Sequence, residues 1–359
     1  MSKRGLLLAL AGVALLLRSA PVPADGDKPY MLVLAPETLP YSVSSGGFVS
    51  AGSFFGGGGL YWMPTSGTVA TGGLVAIAVS RDGKTIAGTA LDSRLIQQAA
   101  IWQGGRDWRL LGGITPNAQP CDRLLSGSFG ANGDGTVVVG LAWDSCRTAR
   151  AFRWEESTGM VSLGSLGGDS TRANAVSADG RVVVGWEEHA TGFRQAAKWV
   201  DRREELIKGP TDLLGEALST NHDGSIIVGT ACNPYLPTAA AWMWTAAAGV
   251  TCLPVERPRF LVPPHPYQGY VHSTSDDGRV MGGSYSFGLD SESLLWLDGQ
   301  VYFLRDYLRQ NGLPDAFDGW VNTGFVTDVS PDGRTLVGYG AGPRTFQGFM
   351  VLLPKLPDR

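Results

Sequence analysis

Residues 175–185 read Ala-Val-Ser-Ala-Asp-Gly-Arg-Val-Val-Val-Gly: an apolar run, a turn, and a second apolar run that meets a glycine. Ser and Asp side chains bond readily to nearby backbone, and Gly supplies the positive φ that such a turn needs. The β-branched run Val182-Val183-Val184 reads as a short buried strand. The stretch is therefore two strands joined by a tight hairpin.

The hairpin occurs seven times, at Gly46-Gly47, Asp82-Gly83, Asp134-Gly135, Asp179-Gly180, Asp223-Gly224, Asp277-Gly278 and Asp332-Gly333. A small polar residue precedes each pair by two: Ser44, Ser80, Asn132, Ser177, Asn221, Ser275 and Ser330. A further glycine follows each turn glycine by five, from Gly52 and Gly88 to Gly283 and Gly338. Each unit continues with a third apolar segment. It ends in Trp62, Trp102, Trp154, Trp199, Trp244 or Trp296, and the last unit has Val351 there. A polar turn and a fourth segment complete the unit. Four strands, here a to d, repeating at about 36–55 residues, are the pattern of propeller blades. A Trp at one strand position in six of seven units is read as packing against the neighbouring blade rather than as a ligand platform. Burial of one such side chain is worth roughly 4–6 kcal/mol gross.

The ends of the chain carry matching defects. Residues 30–34 form an apolar strand with no unit of their own, and the last unit lacks strand d. Pairing the first strand beside residues 348–353 would close a ring and hide its open edges. The expected fold is all-β: a seven-bladed β-propeller, four antiparallel strands per blade, with residues 25–359 as one domain. One short helix is expected at 305–311, where Leu304, Tyr307 and Leu308 share a face.

Residues 1–24 read as a signal peptide: Lys3 and Arg4, an apolar core too short to span a bilayer, Arg18, then Val22-Pro23-Ala24 as a cleavage site. Its removal would take the formal net charge from −4 to −7, a poor balance for nucleic-acid binding. The expected address is secreted or periplasmic. Four cysteines in an exported chain imply two bridges, Cys121–Cys146 and Cys232–Cys252. No membrane span follows the leader, and a monomer is expected.

In an up-and-down blade, b–c loops and d–a links share one face of the ring, and a–b and c–d turns share the other. The long, irregular connectors (residues 112–123, 141–148, 230–237, 254–269 and 305–320) all belong to the first face. Loops carry function more often than the frames that hold them. Trp143, Trp186, Tyr235, Tyr267, Tyr270 and Trp320 lie in or beside these connectors and are the candidate ligand-binding residues. No catalytic residue is assigned. The sequence contains no Gly-x-Ser-x-Gly, no His-Glu-x-x-His and no close Cys/His spacing, so no metal or cofactor is expected. Single carboxylates in the Asp-Gly turns suit turn formation better than calcium. The four histidines, His189, His222, His265 and His272, read as scattered surface or turn residues. The innermost strand carries mostly small residues (Ser42, Ala78, Gly130, Ala175, Ser219, Ser273), with Asp328 as the exception.

Residues 159–186 closely resemble the HAF-type extracellular repeat of bacterial exported proteins. The run Arg150-Ala151-Phe152-Arg153-Trp154 is similar to that repeat's His-Ala-Phe block, with Arg150 in place of the first His. Residues 304–354, with Gly319-Trp320 and Val329-Ser330-Pro331-Asp332-Gly333, resemble the family's terminal unit, and the Ser-Pro-Asp-Gly phrase resembles WD40-like blades. The resemblance implies an exported repeat protein and carries no catalytic residues with it. The expected function is a non-catalytic binding or scaffold module with a glycan or protein partner. The alternatives are a propeller enzyme (lyase, lactonase or glycosidase) with its site at the channel mouth, and a structural surface protein without a discrete ligand.

Overall fold

The structure, a computed structural model, describes residues 28–47, 49–105, 107–115, 118–233, 238–255, 267–287 and 290–357. Residues 1–24 and most of the Pro-rich 254–269 arm lie outside them. Seven antiparallel sheets form seven blades in a ring. Strands a are Thr38–Val43, Val75–Val79, Ser126–Ala131, Thr171–Val176, Ala217–Thr220, Tyr267–Thr274 and Asn322–Val329, for blades 1 to 7. The ring closes as expected: Tyr30–Pro36 pairs antiparallel with Phe346–Leu352 and supplies the outer strand of blade 7. Blade 6 gains a fifth strand, Thr238–Ala239, from the b–c loop of blade 5; it runs parallel to Tyr267 and Gln268.

Each turn is built as its residue types dictate. In blade 4, Ser177 Oγ donates to Asp179 Oδ1 (2.5 Å) and accepts from Val182 N (3.0 Å), while Arg181 N donates to Asp179 Oδ1 (3.0 Å). Gly180 sits at φ 75°, in the region glycine favours. The carboxylates thus serve the turns. Hydrogen bonds from the Thr136 hydroxyl and N–H hold Asp134 below the usual carboxylate range.

The hydrophobic core is divided among the seven blade interfaces. Trp62, Trp102, Trp154, Trp199, Trp244 and Trp296 each pack on the preceding blade, and Val351 does so in blade 7. Trp199 and Trp296 are completely buried. The helix forms over Leu304–Gln310 and turns Leu304 and Leu308 into the interface of blades 6 and 7. Both disulfides form, with Cα–Cα distances of 4.9 Å for Cys121–Cys146 and 5.6 Å for Cys232–Cys252.

In six of the seven blades the glycine after the turn lies inside strand b; only in blade 5, where the strand is Ile226–Gly229, does it end the strand. Strand b of blade 4 is Val182–Glu188, with Gly185 inside it; strand b of blade 3 is Val137–Ser145, with Gly140 inside it. Trp143 and Trp186 therefore lie in strands, not in connectors.

Candidate functional site

The glycines five residues after the turns shape the centre of the ring. A Cβ built at Gly185 would collide with the Arg172 carbonyl oxygen, and in the other blades the same atom would strike the oxygen of Leu39, Val75, Gly127, Glu216, Tyr270 or Phe325. The carbonyl leans in because every strand a carries a β-bulge at that level. Its register slips past Tyr41, Ile77, Phe129, Asn174, Leu218, His272 and Thr327. A bulge bends the strand and re-aims one side chain. Here it turns all seven toward the axis, where they line a chamber of about 340 Å³. The small residues named above, with Asp328, form the next ring down.

The chamber wall is hydrogen-bonded to itself. Asp328 accepts from Ser273 Oγ (2.5 Å), Val43 N (2.8 Å) and Val329 N (2.8 Å). Burial raises its pKa, and these bonds pull against that. Ser42 Oγ accepts from Val79 N (3.2 Å), and Thr327 Oγ1 donates to Pro40 O (2.8 Å). At the turn side, Arg81 reaches across to Asp276.

At the loop side the bulged residues meet others in an arc of five rings. Tyr270 stacks on His272 (centroids 5.6 Å apart), His272 meets Phe325 (6.1 Å), Phe325 meets Tyr339 (5.4 Å), and Tyr339 meets Tyr41 (6.0 Å). Blades 6, 7 and 1 contribute, and every ring is half-buried. Burial pushes His272 down to about 4, so it is neutral at physiological pH, and pushes Tyr339 up to about 12. His272 Nε2 lies 3.1 Å from Ser284 Oγ, but Ser284 is fully buried, out of reach of a substrate.

The arc continues into a charged cluster at blades 4 and 5. Glu216 takes Arg172 Nη2 (2.9 Å) and Arg194 Nη1 (2.7 Å). Arg172 Nε also donates to Asn174 Oδ1 (2.7 Å). The Arg172 guanidinium lies 4.9 Å from the Phe129 ring and 5.3 Å from that of Trp186, and Arg194 lies 4.7 Å from Trp186. Burial lowers the pKa of Arg172. Burial raises that of Tyr270, and the nearby Glu216 charge adds to this.

Of the candidate residues, Tyr270 and Trp186 belong to this mouth. Tyr270 is part of the arc, and Trp186 is buried beneath the two guanidiniums. Trp143 stands in strand b of blade 3, half-buried. Trp320 is buried and packs edge-on against Phe317 (5.1 Å). Tyr267 opens strand a of blade 6 and is described by its backbone alone, and Tyr235 and His265 lie outside the described residues. The sequence reading passed over Tyr41, Arg172, Glu216, Phe325, Tyr339 and above all His272, which it placed with the scattered histidines. The glycine five residues after each turn was the available signal, since it marks where strand a bulges. Among the described residues no cluster of three metal-ligating side chains occurs, and no helix is long and apolar enough to cross a membrane.

No protein-family model and no curated protein matches the chain. Solved structures do. The chain is similar to oligogalacturonate lyase from Vibrio parahaemolyticus, at TM-score 0.52 and 12% identity over 92% of this chain and 99% of that one. It is similar to an oligogalacturonate lyase in complex with manganese, at TM-score 0.50 and 11% identity over the same shares. TolB from Acinetobacter baumannii gives TM-score 0.45 and 12% identity over 90% of this chain and 80% of that one. At these identities the likeness is one of fold: the chain is a seven-bladed β-propeller.

Proposed function

We propose that this protein is an exported, non-catalytic binding module whose ligand seats on the five-ring arc at the loop-side mouth of the channel. The arc itself carries the reading. Half-buried aromatic faces gathered on one concave rim suit ring stacking and hot-spot contacts. The ionisable groups beside them are paired (Arg172, Arg194, Glu216), bonded into the wall (Asp328) or neutral (His272). Such a rim suits recognition better than catalysis. Glycans rank first as partners, since stacking on exposed ring faces is how sugars bind. Two formed disulfides fit an oxidising compartment, in line with a signal peptide at residues 1–24 and with membership of the HAF-type repeat family. The test is a glycan array run with the wild-type protein and with Tyr270→Ala and Phe325→Ala. Retained binding in both variants, or no binding by the wild type, counts against the arc.

One observation favours a second reading, a propeller enzyme. A neutral imidazole at a channel mouth can accept a proton. Turnover of a panel of glycosides, lactones and uronic-acid polymers, abolished by His272→Gln, would replace the binding reading with that one.

A further inference from the structure

The mouth contains more donors than acceptors at its blade 4–5 end, and this bears on the charge of what binds there. Trp186 and Arg172 are cross-strand partners, as are Trp186 and Ala196, two residues along strand c from Arg194. That register puts both guanidiniums against one indole, with the Glu216 carboxylate between them. The two arginines are not equivalent. Arg172 is sunk between Phe129 and Trp186, with Nη2 on Glu216 and Nε on Asn174. Arg194 has 53% of its side chain exposed and uses only Nη1, on Glu216. Its remaining Nε–H and Nη2–H have no partner among the described residues. Stacking and the ion pair already fix the plane of this guanidinium, so presenting the free edge costs little further entropy. Trp186 adds a third unused donor: it is 5% exposed and its indole N–H is buried without an acceptor. Two positive charges share one negative charge at this cluster. Glu188 faces Arg194 across the strand pair but forms no ion pair with it.

We infer that the free edge of Arg194 takes a carboxylate of the ligand, so that the module recognises an acidic oligosaccharide whose sugar rings lie along the aromatic arc. Guanidinium forks match carboxylates in two parallel bonds, which gives direction as well as charge. The path is continuous, because Thr230 donates its N–H to Glu216 O (3.2 Å) and forms an antiparallel bridge to Tyr270, where the arc begins. Glu188 is the internal competitor for the same edge.

This inference rests on the arc as the binding site, and its test separates the two. Binding of a uronic-acid trimer and of its carboxyl-reduced counterpart is measured by calorimetry at low salt, on the wild-type protein and on Arg194→Gln, Arg194→Lys and Glu188→Gln. The expected result is that the wild type binds the acidic trimer at least ten-fold more tightly than the reduced one. Arg194→Gln removes that preference and leaves the reduced trimer unchanged, Arg194→Lys restores part of it, and Glu188→Gln strengthens acidic binding. Equal binding of the two trimers overturns the carboxylate inference while the arc stands. Binding of neither, or of acidic peptides instead, overturns both. Circular dichroism of each variant confirms that the fold is intact.

Discussion

Arg81 of blade 2 and Asp276 of blade 6 form a two-bond ion pair, Nη1–Oδ2 and Nη2–Oδ1 both at 2.6 Å, that spans blades 7 and 1 at the turn side of the channel. The need for it follows from the backbone. Around this rim each turn bonds to the next: Ser45 N to Arg81 O, Asp82 N to Gly133 O, Gly133 N to Ala178 O, Ala178 N to His222 O, and Asp276 N to Pro331 O. Asn221 makes the remaining link through its side chain, to Asp276 O. Pro331 has no N–H to pass the chain on to blade 1. The relay therefore stops beside the one blade assembled from both ends of the polypeptide, and Arg81 clasps the gap from outside it.

Removing the clasp should loosen that seam. Asp276→Asn and Arg81→Met are each expected to cost about 1–2 kcal/mol, with a coupling energy of about 1 kcal/mol in the double-mutant cycle. Thermal unfolding of the four proteins measures it. Additive losses would show that the pair is only a surface contact.

The repeat glycines make a sharper prediction. Gly185→Ala pushes a methyl group into the Arg172 carbonyl and must flatten the bulge or shift the strand. A loss of roughly 2–4 kcal/mol is expected, against less than about 0.5 kcal/mol for an exposed control such as Ser157→Ala. Chemical denaturation compares the two. Equal stabilities would mean that the bulges do not depend on glycine.

Much of this architecture was legible in the sequence. Asp-Gly turns, β-branched runs and the Trp row fix strand order and blade count because each has a local physical cause. The closing strand was legible as two defects that complement each other. The bulge ring was legible only indirectly, through the repeat glycine on strand b, because a bulge is a relation between two strands and leaves no mark on strand a itself. Ending strand b at its glycine moved Trp143 and Trp186 into loops on paper. It also hid Arg172, whose role depends on the strand beside it, and His272, whose neighbours come from three blades.

Glu204 gives the fold a pH dependence. Burial, together with the Glu187 carboxylate, pushes it up to about 9. Glu187 is itself drawn upward by burial, but hydrogen bonds from Leu166 N, Gly168 N and Ser165 Oγ help hold it below its ordinary value. A raised folded-state pKa means that this stabilisation is complete below the ordinary carboxyl range and is lost as pH rises toward 9. Glu204→Gln should therefore stabilise the protein by roughly 2–3 kcal/mol at pH 7 and by little at pH 4. Melting temperatures of both proteins across pH 4–9 check the sign, and parallel curves would reject it.

The disulfides should matter in proportion to the chain they close. With sequence separations of 25 and 20, each contributes about 3–3.5 kcal/mol by chain entropy. Cys121→Ser with Cys146→Ser, and the corresponding Cys232 and Cys252 pair, are expected to lower the denaturation midpoint by similar amounts. Unchanged midpoints under reducing conditions would contradict this.

The claim on which the rest depends is that recognition occurs at the loop-side mouth. Hydrogen–deuterium exchange with and without a bound uronic-acid oligosaccharide reads this directly. Protection is expected around Tyr41, Arg172, Arg194, Tyr270 and Phe325, with the a–b turns from Asp82 to Asp332 unchanged. Protection confined to those turns would place the ligand on the opposite face and contradict the account.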